Sequence, residues 1–137
     1  MIVVDTNILV YLYIHSDRSA RAAAVLRQDP DWAAPLLWRS EFRNVLALYL
    51  RQGRLSLVEV RQIMDDVTEL MLDWEYELAS YHVFDLVNQS NCTAYDCEFV
   101  ALAQELRVPL VTTDRQIQEQ FPDTALSPDA FLSSRST

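Results

Sequence analysis

Four acids in this sequence stand where acids are least comfortable. Asp5 ends the short apolar run Ile2–Val4, and Asp114 follows a second apolar run over residues 109–112. Glu41 lies three residues after Trp38 and four before Val45, so a carboxylate falls on the apolar stripe of a helix. Asp96 precedes Phe99 by three residues and Val100 by four, and also faces inward. An ionised carboxylate against a core costs several kcal/mol unless it is paired, protonated or bound to metal. Taken singly, each acid is explained by an ordinary helix-start residue bridged to an arginine. The coincidence of two strand-end acids with two inward helical ones points instead to a shared cation. Four hard oxygen donors without imidazole or thiolate nearby suit Mg2+ or Mn2+ rather than zinc.

The elements that must position these acids follow from period and punctuation. Ile2–Val4 reads as a buried central strand, as do residues 32–35 and 109–112, with a short stretch near Ala125–Leu126. Between them come helical patterns: residues 8–14; a helix capped by Ser16 or Asp17 and running to Leu26; residues 37–52, closed by Gly53; a helix opened by the capping box Ser56-Leu57-Val58-Glu59; residues 76–89; and residues 94–106, capped by Thr93. Met71–Trp74 is a candidate strand, and small helices are expected from Arg115 and after Ser127-Pro128. Strands alternating with helices mean a parallel sheet covered on both faces, with ligands outside the carboxyl ends of its strands. Asp5 and Asp114 both fall there. One domain over residues 1–132 is expected, with 133–137 a disordered tail.

Composition excludes several chemistries. The chain has 137 residues, a formal charge of −9 and one glycine, and its 11 basic residues are all arginine. Gly-rich phosphate loops and lysine chemistry are therefore ruled out. A structural zinc site is not expected from His15, His82, Cys92 and Cys97, which read as surface and packing residues with the cysteines reduced. With no basic-then-apolar leading segment and no apolar run near the ~20 residues of a membrane span, the expectation is a cytoplasmic protein without membrane contact.

Charge is unevenly spread. Residues 36–61 hold five arginines against Glu41 and Glu59, whereas residues 62–90 hold seven acids and no base. The plain reading is two solvated helix faces; the sharper one is an arginine strip for phosphates and an acidic face for a basic partner. Arg39 and Arg43, four apart on one helix, are the candidate phosphate contacts, although they equally suit an outer helix face. Tyr11, Leu12 and Tyr13 are candidates for a partner-facing side.

Asp5-Thr6-Asn7, Ser40-Glu41, Ala94-Tyr95-Asp96 with Ala101-Leu102-Ala103 behind it, and Thr112-Thr113-Asp114-Arg115 occur in this order along the chain. Together they resemble a PIN domain, and the length and helix spacing resemble the VapC-type toxins of bacterial toxin–antitoxin pairs, essentially end to end. The resemblance implies a three-layer α/β/α fold around a central, mostly parallel sheet. It also implies a Mg2+- or Mn2+-dependent ribonuclease, a homodimer and a cognate antitoxin that blocks the site. Carried over, Asp5, Glu41, Asp96 and Asp114 are the catalytic, metal-binding quartet, and Thr6, Asn7 and Thr112 the polar residues that orient the metal and its waters. Glu98 departs from the family pattern and is either exposed on its helix, the favoured reading, or a supplementary acid; Glu119 is the nearest candidate for a further acid after the last motif.

Two other classes compete. A phospho-receiver module also gathers aspartates at the carboxyl ends of a parallel sheet, but it needs a lysine that this chain lacks. A catalytically silent PIN-like protein-binding module is the stronger alternative; buried acids kept without a metal would only destabilise it.

Overall fold

The computed structural model describes residues 1–135. In chain order the elements are β1 (Ile2–Val4), α1 (Thr6–Tyr13), α2 (Ser19–Gln28), β2 (Trp32–Pro35), α3 (Leu37–Arg51), α4 (Leu57–Met71), β3 (Glu75–Tyr76), α5 (Ser80–Gln89), α6 (Ala94–Leu106), β4 (Leu110–Val111), α7 (Arg115–Gln120), β5 (Ala125–Leu126) and α8 (Pro128–Arg135). The strands form one sheet in the order β3-β2-β1-β4-β5. Every pairing is parallel, with Val3 opposite both Ala33 and Leu110, and Val4 opposite Val111. This is the three-layer α/β/α architecture expected from the alternation of short apolar runs with helices.

The topology fixes where a ligand can sit. From β1 the chain steps outward through β2 to β3, then returns across β1 to β4 and on to β5. Right-handed crossovers place the connections of these two halves on opposite faces. The connections therefore part between β1 and β4, leaving a crevice at the carboxyl ends of those two strands. One helical layer joins α1, α2, α3, α4 and α8 through mutual contacts; the other is built on α6, which packs on β1, β2, β4 and α5. The core follows suit: Ile2, Val3, Val4, Trp32, Leu110 and Val111 from the sheet are buried together with Trp38, Phe42, Phe99 and Leu102 from the helices.

Local signals account for most element boundaries. Ser56 Oγ accepts from Glu59 N–H at 3.1 Å while Glu59 Oε1 accepts from Ser56 N–H at 2.9 Å, the reciprocal pair that opens α4. Gly53, just beyond α3, takes φ +70, the left-handed conformation that glycine adopts without steric cost. Three expectations are corrected. First, α2 begins at Ser19 with Arg18 at its N-cap, so neither Ser16 nor Asp17 caps it. Second, residues 71–74 are no strand: α4 runs to Met71, and β3 is Glu75–Tyr76, whose Tyr76 carbonyl accepts from Leu36 N–H at 3.0 Å. Tyr76 is thereby taken from the next helix, and α5 starts only at Ser80. Third, α8 continues through 133–135, so that part of the expected tail is helical, while 136–137 lie outside the described residues. Among the described residues no helix is long and apolar enough to cross a membrane.

Candidate active site

The four acids gather at the crevice between β1 and β4. Asp5 is the N-cap of α1 and Asp114 the N-cap of α7; Asp96 is the third residue of α6 and Glu41 the fifth of α3. Asp5, Asp96 and Asp114 therefore stand at the positive ends of three helices, each favouring an anion by about 0.3–1 kcal/mol.

Two threonines hold the acids in register. Thr6 N–H donates to Asp5 Oδ1 at 2.8 Å, and its hydroxyl donates to Glu41 Oε1 at 2.7 Å. The hydroxyl of Thr112, wholly buried, donates to Asp5 Oδ2 at 2.7 Å and accepts from Asp114 N–H at 3.0 Å. One continuous path of hydrogen bonds thus runs from Glu41 through Thr6, Asp5 and Thr112 to Asp114. Asp114 Oδ1 accepts from Ile117 N–H at 3.1 Å, and Thr93 Oγ1 accepts from Asp96 N–H at 3.1 Å, fixing the backbone that carries the remaining two acids.

Like-charge repulsion couples the acids where direct contact does not. Burial pushes the Asp5 carboxyl up from 3.8 to about 6; Glu41 and Asp96 add like charge, while the Thr112 hydroxyl and Thr6 N–H pull the other way. Glu41 is raised by burial and then by Asp96 and Glu98, against its bond from Thr6. Asp96 is raised by burial and by Asp114, against its bonds to Thr93. Each acid of the quartet therefore feels at least one other. Among the described residues none of the four makes an ion pair; the bridges found are Met1 with Asp29, Arg21 with Asp129, Arg39 with Glu75 and His82 with Glu105. The helix-start acid neutralised by arginine is not what the structure contains. Also among the described residues, no group of three or more His, Cys, Asp or Glu side chains is drawn together tightly enough to hold an ion as it stands. An oxygen-only donor set with no ion-pair partner, in which Asp5, Glu41 and Asp96 are raised, fits a hard divalent cation once the side chains close around it.

The other expected residues divide. Asn7 is exposed and, among the described residues, makes no side-chain hydrogen bond. The Arg39 guanidinium is engaged with Glu75 by Nε–Oε2 at 2.5 Å and Nη2–Oε1 at 2.6 Å, and it lies 5.9 Å from the centre of the Trp38 ring. Trp38 Nε1–H donates to the same carboxylate at 2.8 Å. Arg43, exposed and two residues beyond Glu41, is turned about 200° from it around α3. Glu98 is half-buried rather than exposed, and it raises Glu41. The reason is α6 itself, which is covered by the sheet on one side and α5 on another and so has little solvent face. Glu119 is exposed. Cys92 and Cys97 are free and buried, as expected.

A parallel α/β/α sheet with acids on two strand ends and two flanking helices defines a class of acidic-site proteins, and comparison with known proteins identifies which. The PIN domain profile matches residues 2–121, so the chain belongs to the PIN domain family. It is 29% identical over 124 residues to Ribonuclease VapC3 of Pyrobaculum aerophilum, covering 88% of this chain and 95% of that one. The crystal structure of PAE2754 from Pyrobaculum aerophilum superposes with a TM-score of 0.75 at 20% identity, over 98% of this chain and 96% of that one. A toxin–antitoxin complex from Klebsiella pneumoniae superposes with a TM-score of 0.68 at 17% identity, over 93% of this chain and 98% of that one.

Proposed function

We propose that this chain is a Mg2+- or Mn2+-dependent endoribonuclease that hydrolyses RNA phosphodiester bonds as the toxin of a toxin–antitoxin pair. The observation that carries this reading is the mutually coupled quartet at the β1/β4 crevice, left without a compensating cation among the described residues. The likeness to a ribonuclease over most of both chains supports it.

Asp5, Glu41, Asp96 and Asp114 are the residues that would hold the metal. When bound, a divalent ion offsets charge on the phosphoryl oxygens and makes a water more acidic. The remaining work falls to the chain. Thr6 and Thr112 fix which oxygens of Glu41 and Asp5 are tied to the protein, and among the described residues Glu41 Oε2 receives no hydrogen bond. Asp5 keeps a proton below about pH 6 and must release it before it can act as a ligand, so ion binding and deprotonation are linked. Backbone at three helix starts presents a positive potential to the anionic substrate.

Cleavage of single-stranded RNA by the purified chain, with Mn2+ and with EDTA, tests the reading. Asp96→Asn should abolish metal-dependent cleavage; full activity in that variant would end the assignment. The loosely drawn acids favour a second reading, a silent protein-binding module. A melting temperature indifferent to Mn2+, with no cleavage, would select it.

The partners follow from charge and exposure. An excess of acids suits an antitoxin with a basic segment, and the complex from Klebsiella pneumoniae supports pairing of this kind. Tyr81 and Phe84, three apart on α5 and 84% and 60% exposed, suit a homodimer contact, to be read by light scattering. An RNA substrate and two reduced cysteines agree with a cytoplasmic setting.

A further inference from the structure

A cleft of about 420 Å3 lies beside the acidic crevice. Ile8 and Tyr11 of α1, Arg18 and Arg21 at the start of α2, and Thr113 and Arg115 on either side of Asp114 are among its walls. That volume lies within the ~300–1,000 Å3 of ligand-holding clefts. Its charges are not equivalent. Arg21 is already neutralised, Nε to Asp129 Oδ1 at 2.9 Å. Arg18 and Arg115 have no carboxylate within ion-pair distance among the described residues. Asp17 also lines the cleft and, among the described residues, is in no ion pair.

Arg18 is also preorganised. Its guanidinium lies 5.2 Å from the centre of the Tyr11 ring, and Nη1 donates to Tyr11 Oη at 3.1 Å. That bond uses one of five N–H donors and fixes the plane of the fork, leaving the others for an oxyanion. Two uncompensated guanidinium groups lining one cleft of a protein with net charge −9 are placed to attract phosphate locally where the molecule as a whole repels it. The cleft adjoins the quartet through the chain itself, since Asp114 lies between Thr113 and Arg115.

Resting on the nuclease reading, we infer that this cleft is a substrate subsite: it receives the nucleotide next to the scissile bond of single-stranded RNA, with Arg18 and Arg115 on its phosphate and Tyr11 holding Arg18 in place. Arg39 is held by Glu75, so the phosphate contacts of this subsite are assigned to Arg18 before α2 and Arg115 at the start of α7.

Arg18→Ala and Arg115→Ala, both exposed positions, test it in the full chain. With a short single-stranded RNA, KM should rise about tenfold in each variant while kcat changes little, the effect of one lost charge-assisted hydrogen bond. With a dinucleoside monophosphate, which has no neighbouring phosphate, the variants should match the parent. Arg18→Lys should recover part of the loss. The salt slope of RNA binding, read by anisotropy, should fall by about 0.7 per arginine removed. Unchanged KM on the longer RNA, or an equal loss on both substrates, overturns the subsite. If the parent cuts neither RNA, the nuclease reading fails, and anisotropy still decides the cleft: weaker RNA binding in both variants upholds it, whereas unchanged RNA affinity with weakened binding of polyglutamate reassigns it to an acidic peptide.

Discussion

Thr112 Oγ1 stands 2.7 Å from Asp5 Oδ2 and 3.0 Å from Asp114 N, so one buried hydroxyl sets two acids of the quartet against each other across the β1/β4 crevice. Val is nearly the same shape as Thr but cannot donate. Thr112→Val should push the Asp5 carboxyl still higher, because the bond that lowers it is gone while burial stays. Metal affinity should fall about 10- to 100-fold, the usual result of losing a group that orients a ligand. The acid limb of the pH–rate profile should move to higher pH, which a merely structural loss would not do.

Asp5→Asn removes charge from a site already crowded with like charge. Without metal, its melting temperature should equal or exceed that of the parent, since Asn keeps one oxygen for the Thr6 N–H, turns an amide donor toward the Thr112 hydroxyl oxygen, and lowers the repulsion on Glu41 and Asp96. With Mn2+ the order should reverse, because only the parent gains from the ion. Parallel melts with and without Mn2+ read both halves.

The same carboxyl makes stability depend on pH. Its folded value of about 6 lies above the unfolded value of 3.8, so between these the folded state binds more protons. Its contribution is fully present below about pH 4 and is lost as pH rises through 6, at most about 3 kcal/mol. Glu41 and Asp96, also raised, act in the same direction. Glu75, lowered by its bond from Arg39, acts in the opposite direction, stabilising above its unfolded value and losing that contribution as pH falls. Metal-free melts should therefore decline from pH 5 to pH 7, and saturating Mn2+ should flatten or invert that decline.

Arg39 and Glu75 separate a structural arginine from a substrate arginine. The Glu75 side chain is 8% exposed and also holds Trp38 Nε1–H. Arg39→Ala leaves that carboxylate buried with only the indole for company and should cost about 2–3 kcal/mol. Denaturant melts should register the loss, while the salt slope of RNA binding stays at the parent value.

The sequence made the two strand ends legible because β1 and β4 are buried on both faces, and such strands read as apolar runs that stop where the acids begin. Two helix caps were equally plain, since Ser56 and Thr93 each accept the backbone bond their types suggested, whereas the cap expected at Ser16 or Asp17 did not form. Contacts made across the fold were not legible. The Thr6–Glu41 bond spans 35 positions and the Arg39–Glu75 bridge 36, and nothing local to either partner announces the other. Glu98 was misplaced for a related reason. Helical periodicity assigns one face to the core, but α6 is covered on more than one, and period alone cannot say how many neighbours a helix has. The cleft at Arg18 had no sequence signal, because α1, the start of α2 and the residues around Asp114 meet only once the chain has folded.

The sheet closes on β3 and β5, two residues each. Rims this short offer an incoming chain scarcely any unsatisfied amide to bond with, which discourages runaway stacking into fibrils. Any protein that captures this one must therefore grip it through side chains and helix surfaces, and a peptide built to lengthen the sheet would find almost no foothold.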